Sequence, residues 1–347
     1  MILIRFKNSV IRLRMLLCPL VGILLLGLPG DLATAQSITS ITPRSVQPGV
    51  ATELTVVGKG FDSTLKFVTR CKTQLTIKSV ESEKAVIELT VPDTVPLGPI
   101  GLWAATNAGP MTPSVILVDD LPAVPDNGGN HSLETAQVIP DSVAIDGKSD
   151  GARLDYYRFQ VRENQALTIE ALTQCIESAM DPVIRLLTPE GETVLLADDD
   201  GVGSECRLRH QFTRAGDYII EIKDSGYVAG GSYHLRIGNF PLTSHCFPLA
   251  VQRGKSTLVG AESFGNDLLP ENQIVEQEWK LDVGGNLAFR FPSGTASAWR
   301  RIHVSDAPQY VEGNEESPLT FPVGISGRLL KSGEADEYAI AGVKDAN

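Results

Sequence analysis

The segments 154–161 (LDYYRFQV) and 166–172 (ALTIEAL) decide the fold. In the first, Tyr157, Phe159 and Val161 lie on one side of the chain and Tyr156, Arg158 and Gln160 on the other. In the second, Leu167, Ile169 and Ala171 alternate with Thr168, Glu170 and Leu172. Successive side chains leave a pleated strand on opposite faces, so a period of two predicts strands with one face in a core. The pattern spreads outward from there. Residues 83–92 (EKAVIELTVP) set Ala85, Ile87, Leu89 and Val91 against Val86, Glu88 and Thr90. Residues 216–224 (GDYIIEIKD) and 231–238 (GSYHLRIG) read as further strands, and Pro189-Glu190-Gly191 as a hairpin turn. Short strands between Gly- and Pro-rich turns, with no sustained helical period, predict an all-β chain of tandem β-sandwiches.

The 347 residues suffice for two or three domains, and 42% hydrophobic against 21% charged residues fits a folded chain. A formal net charge of −12 repels phosphate backbones and excludes nucleic acid as a partner. Residues 1–35 read as a signal peptide. Arg5, Lys7, Arg12 and Arg14 precede an apolar run over 15–28, and the small residues Ala33 and Ala35 place cleavage after Ala35. That run is short of the ~20 residues that span a bilayer. No later segment is apolar enough, so no membrane span is expected after cleavage. A secreted, periplasmic or cell-surface location follows, where disulfides persist. Cys175 and Cys206 flank one strand pair and its loop and are expected to be bonded; the pairing of Cys71 and Cys246 is left open. Closing that loop would add about 3–4 kcal/mol if it restricts the unfolded chain.

Four blocks and a repeat organise the mature chain. Residues 36–120 read as one β-sandwich, 121–240 as a polar linker and a second, and 241–311 as a third β-rich block. VILVDDLP (115–122) matches RIHVSDAP (301–308), and VAIDGKSDGARLDYYRF (143–159) matches VGISGRLLKSGEADEYAI (323–340). Asp155 and Tyr157 thereby correspond to Asp336 and Tyr338. Residues 312–347 read as an incomplete second copy, too short to bury a core and expected to be weakly ordered.

The stretch from about 126 to 238 resembles the bacterial pre-peptidase C-terminal domain. The carrying features are DNGGN leading to ETAQVI, then IDGKSDGARLDYYRF, DPVIRLLTPEGETVLLADDDG, RAGDYIIEI and GGSYHLRIG. The block before it, with ITPRSVQPGVATELTVVGKGF, is similar to an immunoglobulin-like domain of the TIG type, and 241–311 resembles a degenerate copy of that. The resemblance implies an immunoglobulin-like sandwich followed by a jelly-roll-like one, with no catalytic domain. Such domains ride beside secreted peptidases, bind extracellular polymers or fold around calcium.

The search for chemistry points the same way. The sequence has no H-E-x-x-H, C-x-x-C or phosphate loop, and His131, His210, His245 and His303 sit in separate segments. His234 alternates within a strand and reads as a surface or packing residue. Asp198, Asp199 and Asp200 pack three carboxylates before Gly201, a weak calcium candidate beside the plainer reading of a solvated connection. The resemblance offers a second calcium set: Asp150 and Asp155 with Asn127 and Asn130, next to Asp126, although the paired glutamates of calcium-binding relatives are missing. Tyr156 and Trp103 are candidate aromatics for stacking on sugar or peptide. Arg207, Arg209 and Arg214 are expected to neutralise the Asp198–Asp200 loop. The expected function is non-catalytic: binding, adhesion or spacing at the bacterial envelope, toward an extracellular polymer or protein surface. The alternative is an accessory region of a secreted peptidase or other hydrolase.

Overall fold

In the computed structural model the alternating segments are strands, and the described residues are all β apart from a single turn of 3-10 helix at Gln174–Ile176. The structure describes residues 36–191, 193–200, 205–262, 276–282, 284–291, 294, 298–315 and 317–342. The signal-peptide reading of 1–35 lies outside them, as do Gly201 and the last five residues.

The first sandwich packs two antiparallel sheets. One runs Ser37–Thr42, Thr52–Lys59, Lys84–Thr90, Gln74–Val80; the other Ser45–Val46, Ser114–Val118, Gly98–Thr106, Lys66–Thr69, with Ser45–Val46 parallel to its neighbour. Leu54, Val56, Ala85, Ile87 and Leu89 project from one sheet onto Leu102, Ala104 and Ile116 of the other, all with at most 3% exposure. These are the inward residues of the period-two pattern.

The second sandwich has two five-stranded sheets. In one, Val143–Asp150 pairs with Ala229–Gly238, which pairs with Ala166–Leu172 and that with Cys206–Gln211; Ala123–Pro125 adds in parallel at the edge. In the other, Gln137–Val138 adds in parallel to Asp155–Val161, which pairs with Gly216–Asp224, followed by Pro182–Leu187 and Val194–Asp198. Tyr157, Phe159, Ile169, Leu235 and Ile237 fill the space between them. The third block holds two three-stranded sheets around Cys246, Val251, Val259, Leu287, Phe289 and Ile302. Beyond it, Gln309–Val311 pairs in parallel with Gly324–Ser326, and Leu319 bridges Ile340 in parallel. Only Leu319 and Ser326 are buried among the described residues from 312 onward.

The expected Cys175–Cys206 disulfide is corrected: Cys71, Cys175, Cys206 and Cys246 are all free thiols. Cys206 is buried in the core of the second sandwich, whereas Cys175 packs against the core of the first. Burial pushes both thiols well above their ordinary range, so both are poor nucleophiles. Alkylation of the unreduced protein is therefore expected to label both positions in denaturant and to label Cys206 very slowly in native buffer; a recovered disulfide-linked peptide would contradict this.

Candidate functional site

Charged groups concentrate on the outer face of one sheet of the second sandwich. Inward residues Leu235 and Ile237 alternate with His234 and Arg236, which face the other way. Register places Asp146 opposite His234, and Glu170 opposite both Arg236 and Arg207. In an isolated sandwich this polar face would be wet. Here His234 and Arg236 are 0% exposed, because the chain leaving the first sandwich and a strand of the third block cover them.

Asp119, directly after strand Ser114–Val118, is the hub. Arg236 donates to it through Nε at 2.7 Å and Nη2 at 3.2 Å, and through Nη1 to Glu170 Oε2 at 3.0 Å. Glu170 also accepts from Arg300 Nη2 of the third block at 2.9 Å. His234 spans Asp119 Oδ2 at 3.0 Å and Asp146 Oδ1 at 2.7 Å. The Arg236 guanidinium lies 4.5 Å from the Phe240 ring centroid and 4.3 Å from that of Trp299. A planar, weakly hydrated cation suits this slot between two rings and two carboxylates.

The electrostatics follow from burial and pairing. Burial alone would raise the Asp119 carboxyl, but Arg236 and the hydrogen bond from His234 outweigh it and hold Asp119 far below the usual carboxylate range. Burial likewise opposes charge on His234, yet its bonds to Asp119 and Asp146 push it up to about 9. Both imidazole nitrogens are taken by carboxylates, so neither is available as a base. The reading of His234 as a surface or packing residue is thus refined to a sealed, charged link.

The arginine cluster makes contacts beyond the Asp198–Asp200 loop. The Arg207 guanidinium donates to Thr243 O at 2.5 Å and Ser244 Oγ at 2.8 Å, in the connection to the third block. Its backbone N–H donates to Asp198 Oδ2 at 2.6 Å. Arg209 donates to Thr168 Oγ1, Phe240 O and Asn239 Oδ1, and lies 4.7 Å from the Phe291 ring centroid. The backbone carbonyl of Arg214 accepts from the Tyr218 hydroxyl. Asp199 and Asp200 are exposed and Asp198 half-buried.

The second acidic set is partly assembled. His131, which the sequence left isolated, stands between two of its members: Nε2 is 3.2 Å from Asp150 Oδ2 and Nδ1 3.2 Å from Asp155 Oδ1. Asp155 Oδ2 accepts from the Tyr233 hydroxyl at 2.7 Å, Tyr233 meets Tyr157 at 2.5 Å, and Tyr157 reaches Asp126 at 3.1 Å. Burial, with the nearby Asp126, pushes Asp155 up to about 6. Asn130 is fully buried and donates to Tyr156 O; Asn127 is exposed, its Oδ1 engaged by the Gly129 N–H. Calcium needs six to eight hard oxygens. Among the described residues no group of three or more His, Cys, Asp or Glu is arranged to hold a metal ion. An imidazole occupies the space between Asp150 and Asp155, so the residues do not fit calcium as they stand. Millimolar calcium and a chelator are accordingly expected to leave the melting midpoint unchanged; a rise of several degrees with calcium would contradict this.

The candidate aromatics divide. Tyr156 is half-buried beside Glu221, and burial pushes its hydroxyl up to about 12. Trp103 is 37% exposed on the outer side of its sheet.

Fold and site together define an all-β protein of tandem sandwiches whose most organised polar groups join the sandwiches. No family model matches the chain, and no curated protein matches it. Several solved structures are similar to parts of it. The pre-peptidase C-terminal domain of a collagenase from Bacillus anthracis is 19% identical over 29% of this chain and 93% of its own, with a TM-score of 0.24. A periplasmic inhibitor of g-type lysozyme from Aeromonas hydrophila is 14% identical over 33% of this chain and 94% of its own, TM-score 0.24. SGBP-B from a complex xyloglucan utilization locus of Bacteroides uniformis is 12% identical over 59% and 73%, TM-score 0.20.

Proposed function

We propose that this chain is a secreted, non-catalytic protein of the bacterial envelope that binds an extracellular polymer or protein surface with its sandwiches held in fixed relation. One observation carries the reading. Asp119, His234, Arg236 and Glu170 are closed off from solvent and, with the half-buried Arg300, bonded into one network drawn from three sandwiches. A catalytic centre needs a nucleophile and a base within reach of a substrate. A binding protein gains instead from rigid spacing, because ordering mobile parts on association weakens affinity. No helix among the described residues is long and apolar enough to cross a membrane, which agrees with an exported protein. The sequence-based assignments belong to the same reading: a signal peptide over 1–35, a TIG-type and a pre-peptidase C-terminal-type sandwich, a degenerate TIG-type copy, and a second repeat opening at 312. Parallel pairing of Gln309–Val311 with Gly324–Ser326 echoes that of Ala123–Pro125 with Val143–Asp150 and supports the repeat.

Fluorescently labelled protein added to intact cells and to isolated envelopes of its own source is expected to be retained at physiological salt and displaced by unlabelled protein. Protein that washes off both, or that turns over casein or chromogenic glycosides, would overturn the reading.

A further inference from the structure

Trp103 sits on strand Gly98–Thr106, beside the strand Lys66–Thr69. Its neighbours Leu102 and Ala104 point into the core at 0% and 3% exposure, so strand geometry turns the indole outward. Leaving the largest apolar side chain type on a wet face forgoes a sizeable burial free energy. The chain's other two tryptophans are used internally: Trp299 stacks on Arg236, and Trp279 packs against the third core.

The local backbone is arranged to lay this indole down. Gly101 is two residues earlier on the same face. A Cβ there would fall 2.5, 2.7 and 3.1 Å from three carbons of the six-membered ring. Such similar distances mean that the ring presents its face, not its edge, to Gly101. One face of the indole therefore rests on glycine and the other is turned to solvent. Val68, directly across the strand pair and 60% exposed, extends the apolar surface sideways, and Ala105 keeps the next outward position low. Any larger residue at 101 would tip the ring up.

We propose that Trp103 is a stacking platform for the pyranose rings of a neutral polysaccharide. The inference rests on the extracellular-binding reading above and names its ligand class. A pyranose offers a patch of C–H groups of about the size of an indole face, while its hydroxyls stay hydrated at the rim beside Lys66. A protein partner would need roughly 800 Å² per side with several buried anchors, and this face supplies one aromatic ring and one valine. The net charge of −12 disfavours a polyanionic chain.

The test is native affinity electrophoresis of the full chain in gels containing hydroxyethylcellulose, mixed-linkage β-glucan or galactomannan. At least one of these is expected to retard the wild-type protein. Trp103→Ala should weaken binding about five- to tenfold, the range that a single stacking contact supports. Trp103→Phe should lose less, and Gly101→Ala should weaken binding while keeping the indole. Equal retardation of wild type, Trp103→Ala and Gly101→Ala would overturn the platform and leave extracellular binding standing. Absence of retardation by all three polymers would also overturn it, and the broader reading then falls only if the envelope-retention assay fails as well. Trp103→Phe retains a ring on the same strand and serves if Trp103→Ala does not fold.

Discussion

Arg236→Ala is expected to lower the unfolding free energy by about 3–5 kcal/mol, the range for breaking a buried ion pair from one side. Arg236 is the largest fully buried side chain of the described residues and answers both Asp119 and Glu170. Its loss leaves two carboxylates in a low-dielectric site, with His234 still on Asp119 and Arg300 still on Glu170. It also empties the slot between Phe240 and Trp299. Because the three sandwiches meet there, the variant should lose cooperativity as well as stability, with the single transition breaking into steps. Urea unfolding followed by tryptophan fluorescence reads both effects, since Trp299 lies against the substituted side chain. The comparison is Arg253→Ala, which removes an exposed pair with Asp306 and is expected to leave the curve unchanged. A wild-type-like curve for Arg236→Ala would remove the network from the account of how the sandwiches are joined.

Alkaline pH should weaken the same junction. His234 is held at about 9 in the folded protein, above the ordinary imidazole value of 6.5. The folded state thus binds the proton more tightly than the unfolded chain. The corresponding stability is fully present below pH 6.5, declines as pH rises from 6.5, and is gone once pH passes about 9. Its size is on the order of 3 kcal/mol by linkage. Urea midpoints measured from pH 6 to 10 should fall across this window in the wild type. His234→Gln should start lower and show a flatter profile there. Parallel profiles would mean that His234 does not carry the proton that the geometry assigns to it.

The strands were legible because Leu235, Ile237, Leu167 and Ile169 alternate with polar residues, and a period of two has one physical cause. The junction was not legible, for a reason that the same strands illustrate. Alternation tells which face of a strand avoids its own core; it does not tell whether that face is wet. His234 and Arg236 do point away from the core of their sandwich, into a contact made by Asp119, far upstream, and Arg300, far downstream. The signal that was present is charge density: Glu170, Arg207, His234 and Arg236 crowd one side of three neighbouring strands. The cysteines misled differently. Spacing suggested a bond because Cys175 and Cys206 flank one strand pair and its loop, but Cys175, on the 3-10 turn at Gln174–Ile176, packs against the first core as a free thiol. For the acidic set, the sequence marked Asp150, Asp155 and Asn130 but not His131, whose place between the carboxylates depends on how the linker crosses the sheet end.

The shared ion network also bears on how such chains can change over generations. Sandwiches strung along a chain look like parts that recombination can exchange freely. Here the face of one is finished by Asp119 from its predecessor and Arg300 from its successor. A shuffled copy of the second sandwich, set between strangers, would carry His234, Arg236 and Glu170 without their counterparts, facing either water or an apolar neighbour that repels them. The three are therefore expected to be inherited as a block, and substitutions at positions 119, 170, 234, 236 and 300 should arise in concert.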